Sequence, residues 1–240
     1  MNIILIHPEE ADGNRVILRD HRARHIRKVL KGKPGDTLRV GLVDGPMGSG
    51  LIRHLDAEQV ELQLNCHTPP PAKAATDLIL ALPRPIMLKR VLAQATSMGV
   101  GRIMLINANR VEKSFWQSSL LTDEQLAAAL QQGLEQAVDT RLPTLTLHRR
   151  FRPFIEDQLP GMNQEYRLRL LAHPGAEPTP RATATLPDHS RRLLAIGPEG
   201  GWVDFEVDCF RRQDFQLFSL GSRILRVDTA IPALLAATMG

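Results

Sequence analysis

The chain has 240 residues, 43% of them hydrophobic, a formal net charge of +4 and two cysteines. That length builds one large globular domain or two smaller ones. No apolar run nears the ~20 residues that span a bilayer. The opening "MNIILIHPEE" lacks a signal peptide's basic start and cleavage site. Cys66 and Cys209 lie far apart in sequence, with no metal-ligand spacing and nothing that suggests a disulfide framework, which fits a reducing cytoplasmic setting without a metal.

The first 66 residues read as short strands around one helix. The strands are "NIILI" (2–6), "RVIL" (15–18), "TLRVGLV" (37–43), "GLIRHL" (50–55) and "QVELQL" (59–64). Pro34 and Gly35 mark a turn, and the strand spacing suggests a small barrel. The helix, "RDHRARHIRKVLKGK" (19–33), carries Arg22, Arg24, Arg27, Lys28 and Lys31 against one acid, Asp20. Ile26 and Leu30 share a face on which it can dock. A charge run is usually a solvated surface. Here the single sign favours contact with a polyanion, whose phosphates bind cations without revealing sequence.

"CHTPPPAKAATD" (66–77) reads as a stiff linker, with a domain boundary near residue 70. Beyond it strands and helices alternate. "LILALP" (78–83) is a buried strand, and "PIMLKRVLAQATSMG" (85–99) a helix with Pro85 in its first turn and Gly99 at its end. "RIMLINA" (102–108) is a strand, and residues 122–138 form a helix capped by Thr122. "TLTLH" (144–148), "RLRLLAH" (167–173) and "LLAIG" (193–197) are strands. Then come a helix at 205–212, a strand at 215–221 and a helix at 229–239, capped by Asp228 or Thr229 with Pro232 in its first turn. This rhythm predicts an α/β domain with a mostly parallel sheet, whose ligands bind beyond the carboxyl ends of the strands.

Three loops sit at such ends: "AHPG" (172–175), "GPEGGW" (197–202) and "LGSRILRVDT" (220–229). The second is not a phosphate cradle. It lacks the G-x-G-x-x-G spacing, Pro198 removes an amide donor, and Glu199 would repel phosphate. Its glycines suit close approach to a flat ligand, and they equally suit a plain tight turn.

These three motifs, in this order, resemble those of the ribosomal small-subunit methyltransferase E family, of the SPOUT class. "HIRKVLKGKPGD", "MGVGRIMLINANRVEKSFW" and "LEQAVDTRLP" are similar too, so the resemblance covers nearly the whole chain. It implies methyl transfer from S-adenosylmethionine to N3 of a uridine in 16S ribosomal RNA, on the RNA or the small subunit. It further implies a PUA-like RNA-binding β-barrel over residues 1–70 and a trefoil-knotted methyltransferase domain over 71–240. The family resemblance also implies a homodimer.

Carried over by motif, the cofactor pocket comprises Leu171, Ala172, His173, Ile196, Gly197, Pro198, Gly201, Leu220, Gly221, Ile224 and Leu225. Arg226 matches the arginine before the last helix. Gln94, Ser97, Met98, Asp139 and Asp228 depart from the family pattern, and Arg141 could supply a charge missing at 139. Removing the uracil N3 proton calls for Glu199 as general base, or for Arg226 or Arg110 as a cation stabilising the anion. The cation is favoured, because an ordinary carboxylate is a weak base for so weak an acid. A methyltransferase for transfer RNA or for a ribose hydroxyl, and a non-catalytic assembly factor, are the rival readings.

Overall fold

A computed structural model describes residues 2–174, 176 and 190–239. The chain divides into two compact units. The first holds the residues up to Ala72 together with Gln131–Leu142, and the second holds Lys73–Leu130 and Pro143 onward.

In the first unit six strands form one sheet: β1 (Ile4–Ile6), β2 (Ala11–Asp12), β3 (Arg15–Leu18), β4 (Thr37–Leu42), β5 (Met47–Leu55) and β6 (Val60–Thr68), in the order β1-β4-β5-β6-β3-β2. Only β1 and β4 run parallel. Along β6 buried and half-buried residues alternate, the signature of a sheet with one face on a core. That core gathers Ile4, Val16, Leu18, Ile26, Val40, Ile52 and Leu62. The expected barrel is realised as an open half-barrel, since the edge strands β1 and β2 do not pair and β2 is two residues long. The other face of β1 packs Ile3 and Leu5 on Leu134. Strand β6 also takes Cys66–Thr68 out of the expected linker.

The basic helix is shorter than the sequence suggests. Helix α1 spans His21–Lys28 and is capped by Asp20, whose carboxylate accepts from the Arg22 N–H at 2.9 Å. Ile26 is fully buried, but Leu30 falls beyond the helix end and is 43% exposed, so it does not share the docking face. Arg22 also departs from expectation, because it is buried rather than offered to a phosphate. Its guanidinium donates to the Leu5 carbonyl at 2.7 Å and bridges the carboxylates of Glu10 and Asp20. Burial opposes its charge, and the two carboxylates more than offset that, raising its pKa. Arg22 in turn holds Glu10 below its ordinary 4.5. Burial would raise the Asp20 pKa, but the bonds from Arg22 outweigh it and hold the group below 3.8.

The second unit carries a fully parallel sheet of β7 (Thr76–Ala81), β8 (Arg102–Ile106), β9 (Thr144–His148), β10 (Leu168–Ala172), β11 (Arg192–Ile196) and β12 (Gln216–Phe218). Its order is β12-β10-β11-β7-β8-β9. Every residue of the central strands β7 and β11 is buried, the apolar runs 78–81 and 193–196 as expected and Thr76, Asp77 and Arg192 with them. The helices are α2 (Pro85–Ser97), α3 (Asp123–Ala137, whose last turns belong to the first unit), α4 (Phe151–Pro153), which continues through a π turn into α5 (Leu159–Met162), then α6 (Asp204–Arg211) and α7 (Val227–Thr238). Thr122 Oγ1 accepts from the Gln125 N–H at 3.4 Å, as expected of a cap. Helix α7 starts two residues early, with Arg226 at the cap position, so Pro232 lies inside the helix rather than in its first turn. The Asp228 carbonyl therefore lacks its helical donor. No described helix is long and apolar enough to cross a membrane.

Arg22→Met strands two half-exposed carboxylates and is expected to cost about 2 kcal/mol. The folded pKa of Glu10 is depressed, so its contribution is complete above 4.5 and is lost as pH falls through the lower folded value. Calorimetric unfolding from pH 7 to 3 should show that acid-sensitive increment in the native chain and its absence in the variant. Equal acid sensitivity in both would remove Arg22 from this role.

Candidate functional site

At the carboxyl end of the parallel sheet, the loops after β10, β11 and β12 enclose a cavity of about 250 Å³. Ala172, His173 and Pro174 form one side, the whole of Ile196–Trp202 a second, and residues from Phe218 to Leu225 a third. Val227, Ala230 and Leu234 of α7 close it. Of the eleven cofactor residues expected, all but Leu171 line this space. Leu171 has no exposed surface within β10. Gly175 lies outside the described residues. The α7 residues escaped the sequence reading, although their spacing of three and four marks one helix face.

Local geometry explains the second loop. Gly201 N–H donates to Pro198 O at 2.8 Å, closing a four-residue turn, and Gly201 sits at φ +75°, a left-handed conformation that favours glycine. A Cβ on Gly197 would lie 3.1 Å from the Trp202 ring. The missing side chain lets that ring fold back beneath the strand end, where it meets Phe210 at 5.1 Å between centroids. Trp202 is buried, and its Nε1 has no hydrogen-bond partner among the described residues.

Glu199 points to a neighbouring element. Its Oε1 accepts the Arg84 N–H at 3.1 Å, and Arg84 is the cap residue of α2. The carboxylate thus satisfies one of the amides that a helix start leaves open, and it favours the positive end of the helix dipole. Arg110 clamps the same loop from the other side by donating to the Gly200 carbonyl. The segment bearing Arg110 is held by Glu206, which is buried and accepts the Asn109 N–H at 2.7 Å and the Val203 N–H at 3.0 Å. The reading from sequence missed Glu206, whose position three residues into α6 is a capping-box position. Arg226 differs from both clamps. It is exposed, it lies between Leu225 and Val227 of the cavity wall, and its guanidinium has no partner among the described residues.

In the first unit Arg24, Lys28 and Lys31 are exposed and form no ion pair with a described residue. Arg27 is half-buried and spends donors on the Asp56 and Ala57 carbonyls, so with Arg22 it belongs to the fold. Two positions that depart from the family pattern have structural tasks. Asp139 is buried and accepts the Thr140 and Arg141 amides at 2.6 and 3.0 Å, just after Val138 at φ +59°. Asp228 pairs with Arg90 at 3.2 Å, tying α7 to α2, and caps nothing. Among the described residues no group of His, Cys, Asp and Glu side chains is placed to hold a metal ion.

Residues 70–239 match the sequence family described as RNA methyltransferase domain, the class of protein this fold and cavity define. A ribosomal RNA small subunit methyltransferase E of Treponema pallidum is 31% identical over 248 residues, 100% of this chain and 91% of that protein. The chain belongs to the ribosomal RNA small subunit methyltransferase E family. The fold is similar to that of a methyltransferase of Legionella pneumophila solved with bound cofactor SAM, with TM-score 0.77 and 22% identity over 99% of this chain and 96% of that one. It is also similar to a ribosomal RNA small subunit methyltransferase E of Neisseria gonorrhoeae bound to S-adenosyl methionine, with TM-score 0.73 and 21% identity over the same shares.

If Glu199 only ties its loop to α2, Glu199→Gln keeps an acceptor and should retain methyl transfer within about threefold, whereas Glu199→Ala should weaken donor binding about tenfold. Steady-state rates and calorimetric titration separate the two. A hundredfold loss of kcat in the glutamine variant would return Glu199 to the role of base.

Proposed function

We propose that this protein transfers the methyl group of S-adenosylmethionine to N3 of a uridine in 16S ribosomal RNA. The observation that carries this reading is the cavity where the three motif loops converge at the carboxyl edge of the sheet. Its apolar walls, its glycine-permitted close approach and the unsatisfied, buried Trp202 N–H suit a ligand with an apolar body and acceptor atoms. When bound, the donor supplies an activated methyl group on a sulfonium leaving group. Leu171 supports the pocket from within β10 rather than touching the ligand.

The chain's own task is the uracil. Its N3 proton must leave, passing to solvent water, and negative charge then spreads over the ring. Arg226 sits at the start of α7 with its guanidinium unengaged, so it and the helix N-terminus can stabilise that charge as it forms. Glu199 and Arg110 act as loop clamps that hold the pocket in shape. Holding the methyl carbon near N3 contributes much of the remaining acceleration.

By the same resemblance we read residues 1–70 as a PUA-like RNA-binding domain in which Arg24, Lys28 and Lys31 grip phosphates. We read residues 71–240 as a knotted methyltransferase domain, the working form as a homodimer and the setting as cytoplasmic. Ile86 and Ile224, 84% and 85% exposed, are apolar surfaces that a second copy would cover.

Nucleoside analysis of small-subunit RNA, with and without the protein, should reveal one N3-methyluridine that depends on it. Arg226→Ala should lower kcat about 100-fold while the calorimetric Kd for the donor stays within about twofold. Unchanged turnover would take Arg226 out of the mechanism.

A further inference from the structure

Arginines of the second unit differ in how far they are compensated. At the amino edge of the sheet Arg102 pairs with Glu165 at 3.2 Å, Arg169 with Asp214 at 3.2 Å, and Arg191 with Asp77, while Arg167 is exposed and Arg192 buried without an ion pair to a described residue. At the carboxyl edge, the loops after β8 and β9 present Arg110, Arg149, Arg150 and Arg152, all exposed. Among the described residues none of them has a carboxylate within salt-bridge distance. Uncompensated like charges repel one another, so they are kept where an anion is to be met.

An aromatic group completes this edge. Phe205, in the first turn of α6, leaves 41% of its surface in water, and the Arg152 guanidinium lies over its ring at 4.6 Å. Phe151 stands between Phe205, at 6.4 Å, and Trp202 of the donor cavity, at 6.5 Å. Arg149 is held in place over Trp116 at 5.2 Å and donates to the Trp116 carbonyl at 3.0 Å. Planar guanidinium beside an exposed ring is the chemistry that receives an unstacked nucleobase and its phosphates.

We propose that Phe205, Arg152, Arg150 and Arg149 form a second RNA-contact surface on the methyltransferase unit, where an unpaired nucleotide flanking the methylated base stacks. This rests on the RNA-methylation reading above. The surface deepens that reading by adding a base-stacking contact to the phosphate grip proposed for Arg24, Lys28 and Lys31 of the first unit. Methylating N3 requires a base free of its pairing partner, and its neighbours then lose stacking that the rim replaces.

The test compares Phe205→Ala, Phe205→Trp, the double variant Arg150→Ala/Arg152→Ala, and Arg211→Gln, which breaks an exposed pair with Asp208 on α6. Methyl transfer to unmodified small-subunit particles gives kcat and KM. Calorimetry gives donor Kd, sedimentation gives mass, and fluorescence anisotropy gives affinity for a short single-stranded RNA. Phe205→Ala and the double variant should each raise KM and the RNA Kd about tenfold, with kcat and donor Kd within about twofold. Phe205→Trp and Arg211→Gln should behave as the native chain. The double variant should also flatten the slope of log affinity against log salt by about 1.4, the share of two phosphate contacts. Unchanged RNA Kd in both loss variants overturns the proposal. A fall in mass without a change in RNA Kd overturns it in favour of a contact between copies. Should the native chain leave ribosomal RNA unmethylated, the functional reading fails, while the anisotropy series still decides the surface.

Discussion

The hydrogen bond from the Arg84 amide to the Glu199 carboxylate holds the loop that forms the second side of the cavity. It joins the loop after β11 to the cap of α2, which follows β7, the strand paired with β11 in the sheet. Two adjacent strand ends are thereby locked at one height. With that loop fixed, Gly197 can lie against the Trp202 ring, and Trp202 can pack on Phe210 of α6. Glu206 at the head of α6 then anchors Asn109, and Arg110 beside it reaches back to Gly200. The chain of contacts closes on the loop where it began. A pocket made from three loops would otherwise lose conformational entropy each time a ligand ordered it.

Much of this could be read from the sequence, for reasons that are local. The apolar runs of β7 and β11 mark buried parallel strands because both their faces are covered. Pro85 and Gly99 bound α2 because their backbone preferences permit little else. The motif loops were recognisable because glycine, proline and tryptophan at fixed spacing have few substitutes. What escaped depends on partners distant in sequence. Arg22 reads as one more cation in a basic run until Glu10 and the Leu5 carbonyl are placed around it. Arg27 is claimed by carbonyls almost thirty residues away. Closing the first sheet into a barrel depends on whether two edge strands meet, and no spacing rule decides that. Leu171 shares a motif with its neighbours yet is wholly buried within β10 and does not line the cavity, a difference that burial alone reveals.

The proposed division of labour between Glu199 and Arg226 rests on the same geometry. The Glu199 carboxylate is already committed to the Arg84 amide at the start of α2. Using it as a base would also release the loop that shapes the pocket, at the moment when the pocket must stay rigid. Arg226 has no such second duty. Stabilising an anion with a guanidinium costs no anchoring contact there. Its place at the head of α7 adds the helix's own partial charge. Catalysis needs groups that are set in place before charge develops, and of the three candidates Arg226, flanked by Leu225 and Val227 of the cavity wall, alone is unengaged among the described residues.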